Sequence, residues 1–222
     1  MHKKKLSCLV LCGGKGSRLG KLGEKIPKTL LKLQNKSIID YLIINLNKNG
    51  IEKILLSTFY KHHLIKKHIN KEHKGKNIRI YNDGDIQILQ RIKLALKRCE
   101  GDLLVCYGDE IANINIKKLY KNHLKSNKEL TIVTFQLKSN FGFLFKKKKK
   151  FFFKEKPIIG NYNIGYMIFN LNSIKYIRNI KSLENYINKL CDLNKINEYI
   201  HKGKHTTVNT IEDYDRAKRI NL

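Results

Sequence analysis

Apolar and polar positions divide the first half of the chain into two alternating kinds of segment. Leu6–Cys12 is a short, nearly continuous apolar run ended by Gly13-Gly14, as expected of a strand buried on both faces. From Ser37 the apolar residues fall at 38, 39, 42, 43 and 46, which is helical spacing, and Asn49-Gly50 stops the helix. Ile54–Thr58 predicts a second buried strand, 62–70 a basic helix and 77–81 a third strand. Residues 87–98 predict a third helix, with apolar positions at 88, 89, 92, 94, 95 and 96. A fourth strand over 103–107 ends at Gly108-Asp109. This alternation predicts an α/β fold: a Rossmann-like, open and mostly parallel sheet flanked by helices on both faces.

The second half is less regular. Residues 131–135 and 166–169 read as strands, and 172–178 and 183–193 as helical. Two apolar segments, 141–145 and 151–154, flank the run Lys146 to Lys150, which predicts a β-hairpin with a solvated, self-repelling tip. A last helix is expected over 212–220, with Thr210 as its cap and Asp213 at its third position. No internal repeat or linker breaks the 222 residues, so a single domain is expected over 1–222.

Charge changes this picture less than its size suggests. The formal net charge is +28, which attracts polyanions. Yet Arg supplies only seven of the 46 basic residues, and specific base readout favours Arg. The abundant Lys, Asn, Ile, Tyr and Phe are the residues of A+T-rich codons, so no specific nucleic acid is expected as a partner. No apolar run approaches the roughly 18 residues of a membrane span, and no signal peptide is read at the start. Five cysteines without a CxxC predict free thiols in a reducing cytoplasm. His62-His63, His68 and His73 share no metal-like spacing with a carboxylate and read as surface positions.

Candidate chemistry lies at strand ends, where ligands bind in open α/β sheets. The loop Gly13-Gly-Lys-Gly-Ser-Arg18 follows the first strand. Glycines let the backbone N–H groups approach an anion, and Lys15 and Arg18 bring the positive charge that phosphate needs. The loop fits neither the Walker pattern nor GxGxxG, since the sixth position of the latter is Leu19.

The motifs CGGKGSRL, IPK, YGDE, FKEKP and NIGYMIF, in that order and followed by VNTIEDY, resemble the sugar-1-phosphate nucleotidyltransferase family over about residues 6–220. The YGD ending and Phe141-Gly142 look most like its glucose-1-phosphate cytidylyltransferase branch. The resemblance implies Mg²⁺-dependent attack of a sugar phosphate, or a similar phosphate monoester, on the α-phosphorus of a nucleoside triphosphate, with CTP favoured and pyrophosphate leaving. The product would serve activated-sugar and surface-polysaccharide synthesis. Residues 1–110 would be the nucleotide-binding half and 111–222 the acceptor-binding half. Self-association is left open, and the alternative is a catalytically weak homologue that binds nucleotide or polyanion.

Roles follow by matched position. Cys12, Gly13, Gly14, Gly16, Ser17 and Gly108 would cradle the nucleotide. Arg18 would hold the β- and γ-phosphates, Lys28 the α-phosphate, and Asp109 the metal. Gly142, Glu155, Lys156, Asn163 and Gly165 would form the acceptor site. Three departures stand out. Asn209 replaces a second metal-binding Asp. Leu89-Gln90 replaces a Gly pair at the base-recognition helix, leaving Gln87 or Gln90 to read the base edge. Ile164 replaces the middle Gly of NGG, which suggests a narrowed pocket.

Overall fold

The computed structural model describes residues 5–219. Strand β1 (Leu6–Cys12) leads into α1 (Lys21–Lys25), the two-residue strands β2 (Lys32–Leu33) and β3 (Lys36–Ser37), and α2 (Ile38–Lys48). Next come β4 (Ile54–Thr58), α3 (His62–Glu72), β5 (Ile78–Asn82), α4 (Ile88–Arg98) and β6 (Asp102–Tyr107). The second half holds β7 (Glu110–Ala112), α5 (Ile116–Ser126), β8 (Leu130–Lys138), β9 (Phe143–Lys147), β10 (Lys150–Lys154) and β11 (Ile158–Phe169). It closes with α6 (Leu183–Asp192), β12 (Ile196–Ile200), β13 (His205–Thr207) and α7 (Ile211–Lys218).

Seven strands form the main sheet in the order β12-β8-β11-β6-β1-β4-β5. Strands β6, β1, β4 and β5 run parallel, and β11 enters antiparallel between β6 and β8. The expected open, mostly parallel sheet with helices on both faces is therefore what the chain builds. Alternation sorts the side chains. Cys8, Val10 and Cys12 of β1 join α2, α3 and α5 in one apolar cluster, while Leu9 joins α4 and α6 in the other. Both faces are covered, which is why β1, β4 and β6 read as nearly continuous apolar runs.

A third cluster matters most for the site. Leu19, Leu31, Leu33 and Ile38 from the first forty residues pack with Val208 and Ala217 from the end of the chain. The Tyr214 hydroxyl donates to the carbonyl of Lys32 at 2.8 Å. The terminal segment is thereby folded back over the loop that follows β1. The Thr210 capping box is formed: its hydroxyl accepts from the Asp213 N–H while the Asp213 carboxylate accepts from the Thr210 N–H. The helix begins one residue before the expected start, and residue 220 lies outside the described residues.

The predicted hairpin is β9–β10, whose strands pair only with each other. Three of the five lysines lie within its strands, leaving Lys148 and Lys149 as the turn. Strand β11 is longer than the apolar pattern indicated. Its first half, 158–163, is exposed, and a register shift lies between Asn163 and Met167.

Candidate functional site

Cys12, Gly13, Gly14, Gly16, Ser17, Arg18, Lys28, Asp109 and Asn209 line one cleft of ≈390 Å³. It opens beyond the carboxyl ends of β1 and β6, as the topology requires. The loop after β1 turns on Gly16, whose φ of +65° lies in the left-handed region. A Cβ on Gly14 would meet no atom within 4 Å, so its backbone faces open space from which a phosphate can approach. Arg18 is exposed at the rim and, among the described residues, forms no ion pair.

Lys28 follows Pro27 at the start of a 3-10 turn and is the junction of the site. Its Nζ forms an ion pair with Asp109 Oδ2 and donates to Asn209 Oδ1 at 2.7 Å. These three residues come from sequence positions up to 181 apart. Each is held from behind. Asp109 follows β6, and its carbonyl accepts from the Val208 N–H at 3.3 Å. The Asn209 amide donates to Thr207 Oγ1 at 2.9 Å, which turns its oxygen toward Lys28. The Asn209 backbone N–H donates to Asp213 of the capping box at 3.0 Å.

A carboxylate and an amide oxygen thus converge on a single positive charge. Both are hard oxygen donors of the kind that bind Mg²⁺ or Ca²⁺. The pair fits a divalent cation, with Lys28 now filling the position between them.

Several expected residues play other parts. Gly108 is absent from the cleft lining, and the reason for a glycine there is space. A Cβ would lie 2.8 Å from the Leu11 carbonyl oxygen and 3.0 Å from Cys12 Sγ. Burial pushes the Cys12 thiol up, with Asp109 adding to the effect, so Cys12 is a neutral wall. Gln87 is the exposed N-cap of α4, and neither it nor Gln90 lines the cleft. Leu89 is fully buried against the sheet and is a core residue. Ile164, read as a narrowed pocket, is 1% exposed and packs in the core, because the strand alternation turns it away from the site.

Gly165 and Asn163 sit at the irregularity in β11. The Gly165 N–H donates to Asn163 Oδ1 at 2.9 Å. A Cβ on Gly165 would lie 2.9 Å from both Tyr107 and Glu110, the residues that flank Gly108-Asp109. Gly142, Glu155 and Lys156 stand exposed at the base of the hairpin and do not line the cleft.

Sequence reasoning missed Arg91. This residue of α4 is 5% exposed and lies directly behind the phosphate loop, where a Cβ on Gly13 would touch its guanidinium at 2.9 Å. It donates to Ser57 Oγ at 2.8 Å and to the Thr58 and Ile86 carbonyls. Burial pulls its pKa down and Asp83 and Asp85 oppose this, so a buried positive charge backs the loop. An arginine amid a helical apolar pattern was the available signal. Thr29 was also missed: its hydroxyl lines the cleft, buried, with no hydrogen-bond partner among the described residues.

The fold and the cleft define an α/β protein with a glycine loop at a strand end and two oxygen donors, Asp109 and Asn209, converging on Lys28 beside it. The chain belongs to the nucleotidyl transferase family, whose family model matches residues 7–214. It is 27% identical over 172 residues to the D-glycero-alpha-D-manno-heptose 1-phosphate guanylyltransferase of Aneurinibacillus thermoaerophilus, covering 74% of this chain and 75% of that protein. It is also 27% identical to the glucose-1-phosphate adenylyltransferase of Fervidobacterium nodosum, covering 93% of this chain and 59% of that longer protein. Among solved structures, HddC from Yersinia pseudotuberculosis shares the fold, with a TM-score of 0.75, 21% identity and coverage of 96% of this chain and 97% of that one. HddC complexed with GMP-PN matches with a TM-score of 0.74 and 22% identity, over 96% of this chain and 97% of that one. These relatives are named for guanylyl and adenylyl transfer, so the cytidylyl branch suggested by the sequence has no counterpart among them.

Proposed function

We propose that the cleft transfers a nucleotidyl group from a nucleoside triphosphate to a sugar 1-phosphate, with GTP and a heptose 1-phosphate as the favoured pair. The observation that carries this reading is the convergence of Lys28, Asp109 and Asn209 beside the glycine loop. Such chemistry needs positioning and charge neutralisation with little proton transfer. A cleft of glycines, cations and one carboxylate suits that demand.

The backbone N–H groups of Gly13, Gly14 and Gly16 bind the triphosphate, and Arg18 at the rim takes the β- and γ-phosphates. Arg91 adds positive potential from behind the loop. Lys28 exchanges Asp109 for the α-phosphate as the nucleotide enters. Asp109 and Asn209, freed from Lys28, would hold a divalent cation, Mg²⁺ by their donor type. When bound, that cation supplies charge neutralisation at the phosphates. An acceptor placed beside Asn163 and Gly165 presents its phosphate oxygen to the α-phosphorus opposite the leaving pyrophosphate.

Guanine is favoured over cytosine for two reasons. The relatives named for heptose 1-phosphate are guanylyltransferases. Asp85 on the cleft wall lies beside Ile86 and Ile88 and pairs through Oδ2 with Lys15 at 3.6 Å; once Lys15 turns to phosphate, the two Asp85 carboxylate oxygens suit the adjacent N1–H and N2–H₂ donors of guanine. The test is pyrophosphate release from GTP, ATP, CTP and TTP, each with D-glycero-α-D-manno-heptose 1-phosphate and with glucose 1-phosphate. Fastest release with GTP and the heptose supports the pair; preference for CTP removes the guanine assignment.

A further inference from the structure

The strongest convergence of ligating side chains outside the cleft lies at the start of α2. Asp40 Oδ1 is 2.8 Å from Nε2 of His68 and 2.6 Å from Nε2 of His73. The three potential ligand atoms lie within 4.8 Å of one another. Their side chains are 12%, 22% and 5% exposed, so the group is largely shut away from water. The residues come from two separate helices. Asp40 lies in the first turn of α2, His68 on α3, and His73 is the C-cap of α3. Both helices pack on the same face of the sheet through Ile39, Ile43, Ile65 and Ile69. The sequence reading of these histidines as surface positions is corrected here, because only the pairing of two helices reveals the carboxylate.

The carboxylate is fixed in place. Its other oxygen, Oδ2, accepts from the N–H and hydroxyl of Ser37 at 2.9 and 2.6 Å. Burial opposes ionisation of Asp40, but hydrogen bonds from His68, His73 and Ser37 outweigh it and hold the carboxyl well below the usual carboxylate range. One anionic oxygen therefore faces two imidazole nitrogens, with the Ser37 hydroxyl 3.2 Å from His68 Nε2. Two imidazoles and one carboxylate suit a borderline transition-metal ion better than Mg²⁺ or Ca²⁺, which prefer all-oxygen sets.

We propose that Asp40, His68 and His73 form a binding site for a divalent transition-metal ion, Zn²⁺ by its donor set, that clips α2 to the end of α3. The ligands are Asp40 Oδ1 and the Nε2 atoms of both histidines, and Ser37 Oγ or water completes four-coordination. On binding, each imidazole carries its proton on Nδ1 and gives the Nε2 lone pair to the ion. Lys76 Nζ lies 3.2 Å from His73 Nδ1, so this exposed ammonium must turn to solvent. None of these residues lines the nucleotide cleft, so the site stands independently of the proposed transfer reaction.

The test titrates Zn²⁺, and separately Co²⁺, into chelator-treated full-length protein without nucleotide. One equivalent of Zn²⁺ per chain should raise the thermal unfolding midpoint, and Co²⁺ should give the intense visible absorption of a four-coordinate ion. His68→Gln and His73→Gln should each abolish the Co²⁺ spectrum. Each should also weaken Zn²⁺ binding beyond the about 10- to 100-fold typical of losing an outer-sphere partner. His63→Gln, an exposed position on α3, should leave both unchanged. Lys76→Ala removes no ligand and should tighten binding, which keeps the test open if a histidine variant does not fold. Absence of stoichiometric binding by the wild-type protein, undiminished binding in either folded His68 or His73 variant, or weakened binding in Lys76→Ala would overturn the proposal.

Discussion

Arg18 and Lys28 reach the same cleft under different local constraints. Arg18 is exposed and without an ion-pair partner among the described residues, whereas Lys28 is committed to Asp109 and Asn209. Arg18→Ala should lower turnover by about 10²- to 10³-fold, since one preorganised contact to transition-state charge is worth ~3–4 kcal/mol. Its folding stability should stay within ~0.5 kcal/mol of wild type, because the side chain is a surface one. Steady-state kinetics and urea unfolding check the two halves of this expectation. The glycines divide in the opposite sense. Gly108→Ala forces a Cβ against the Leu11 carbonyl and should cost about 1–3 kcal/mol in urea unfolding. Gly14→Ala meets open space and should leave folding within ~0.5 kcal/mol while impairing nucleotide binding. Motif order made Lys28, Asp109 and Asn209 legible in the sequence. For Arg91 the pattern signalled only an arginine among helical apolar positions, and nothing in it says that this position lies behind the loop after β1.

At the scale of elements, apolar periodicity located most of the strands and helices that are buried on both faces or on one clear stripe. It missed α5, whose buried stripe of Ile116, Leu119 and His123 includes a polar residue, and β12, an edge strand whose sequence INEYI carries two polar residues. It also missed the short pairs β2–β3 and β7–β13, which have too few residues to show a period. It also stopped β11 at its buried half, because 158–163 pair with β8 but not with β6 and their side chains are exposed. The capping box of α7 was readable from Thr210 and Asp213 alone, and the structure gives it a second purpose. Asp213 also accepts from the Asn209 N–H, so the cap sets the position of a cleft residue. Thr210→Ala should cost ~1 kcal/mol of stability. It should also raise the Mg²⁺ concentration needed for half-maximal activity, which a rate titration would reveal. An unchanged Mg²⁺ requirement would mean that Asn209 does not depend on the cap.

Across the whole molecule, the site exists because the end of the chain packs on its beginning through Leu19, Leu31, Val208 and Ala217. No periodicity encodes that closure; only the order of the motifs hinted at it. Acid stability depends on a different long-range contact. Asp40 is held below its unfolded value of about 3.9. The stabilisation from its ionisation is therefore fully present above the unfolded pKa and is lost as pH falls toward the folded one. In metal-free protein, unfolding free energy should decline from about pH 5 downward, and less steeply in His73→Gln, where one of the bonds that holds Asp40 ionised is gone.

The central claim is transfer of the nucleotidyl group to a sugar phosphate, and isotopic labelling tests it most directly. With α-labelled GTP and D-glycero-α-D-manno-heptose 1-phosphate, the label should enter a nucleotide-sugar. With γ-labelled GTP it should leave as pyrophosphate, strictly dependent on the sugar phosphate. Label released as inorganic phosphate, or pyrophosphate formed equally well without the sugar phosphate, would contradict the account.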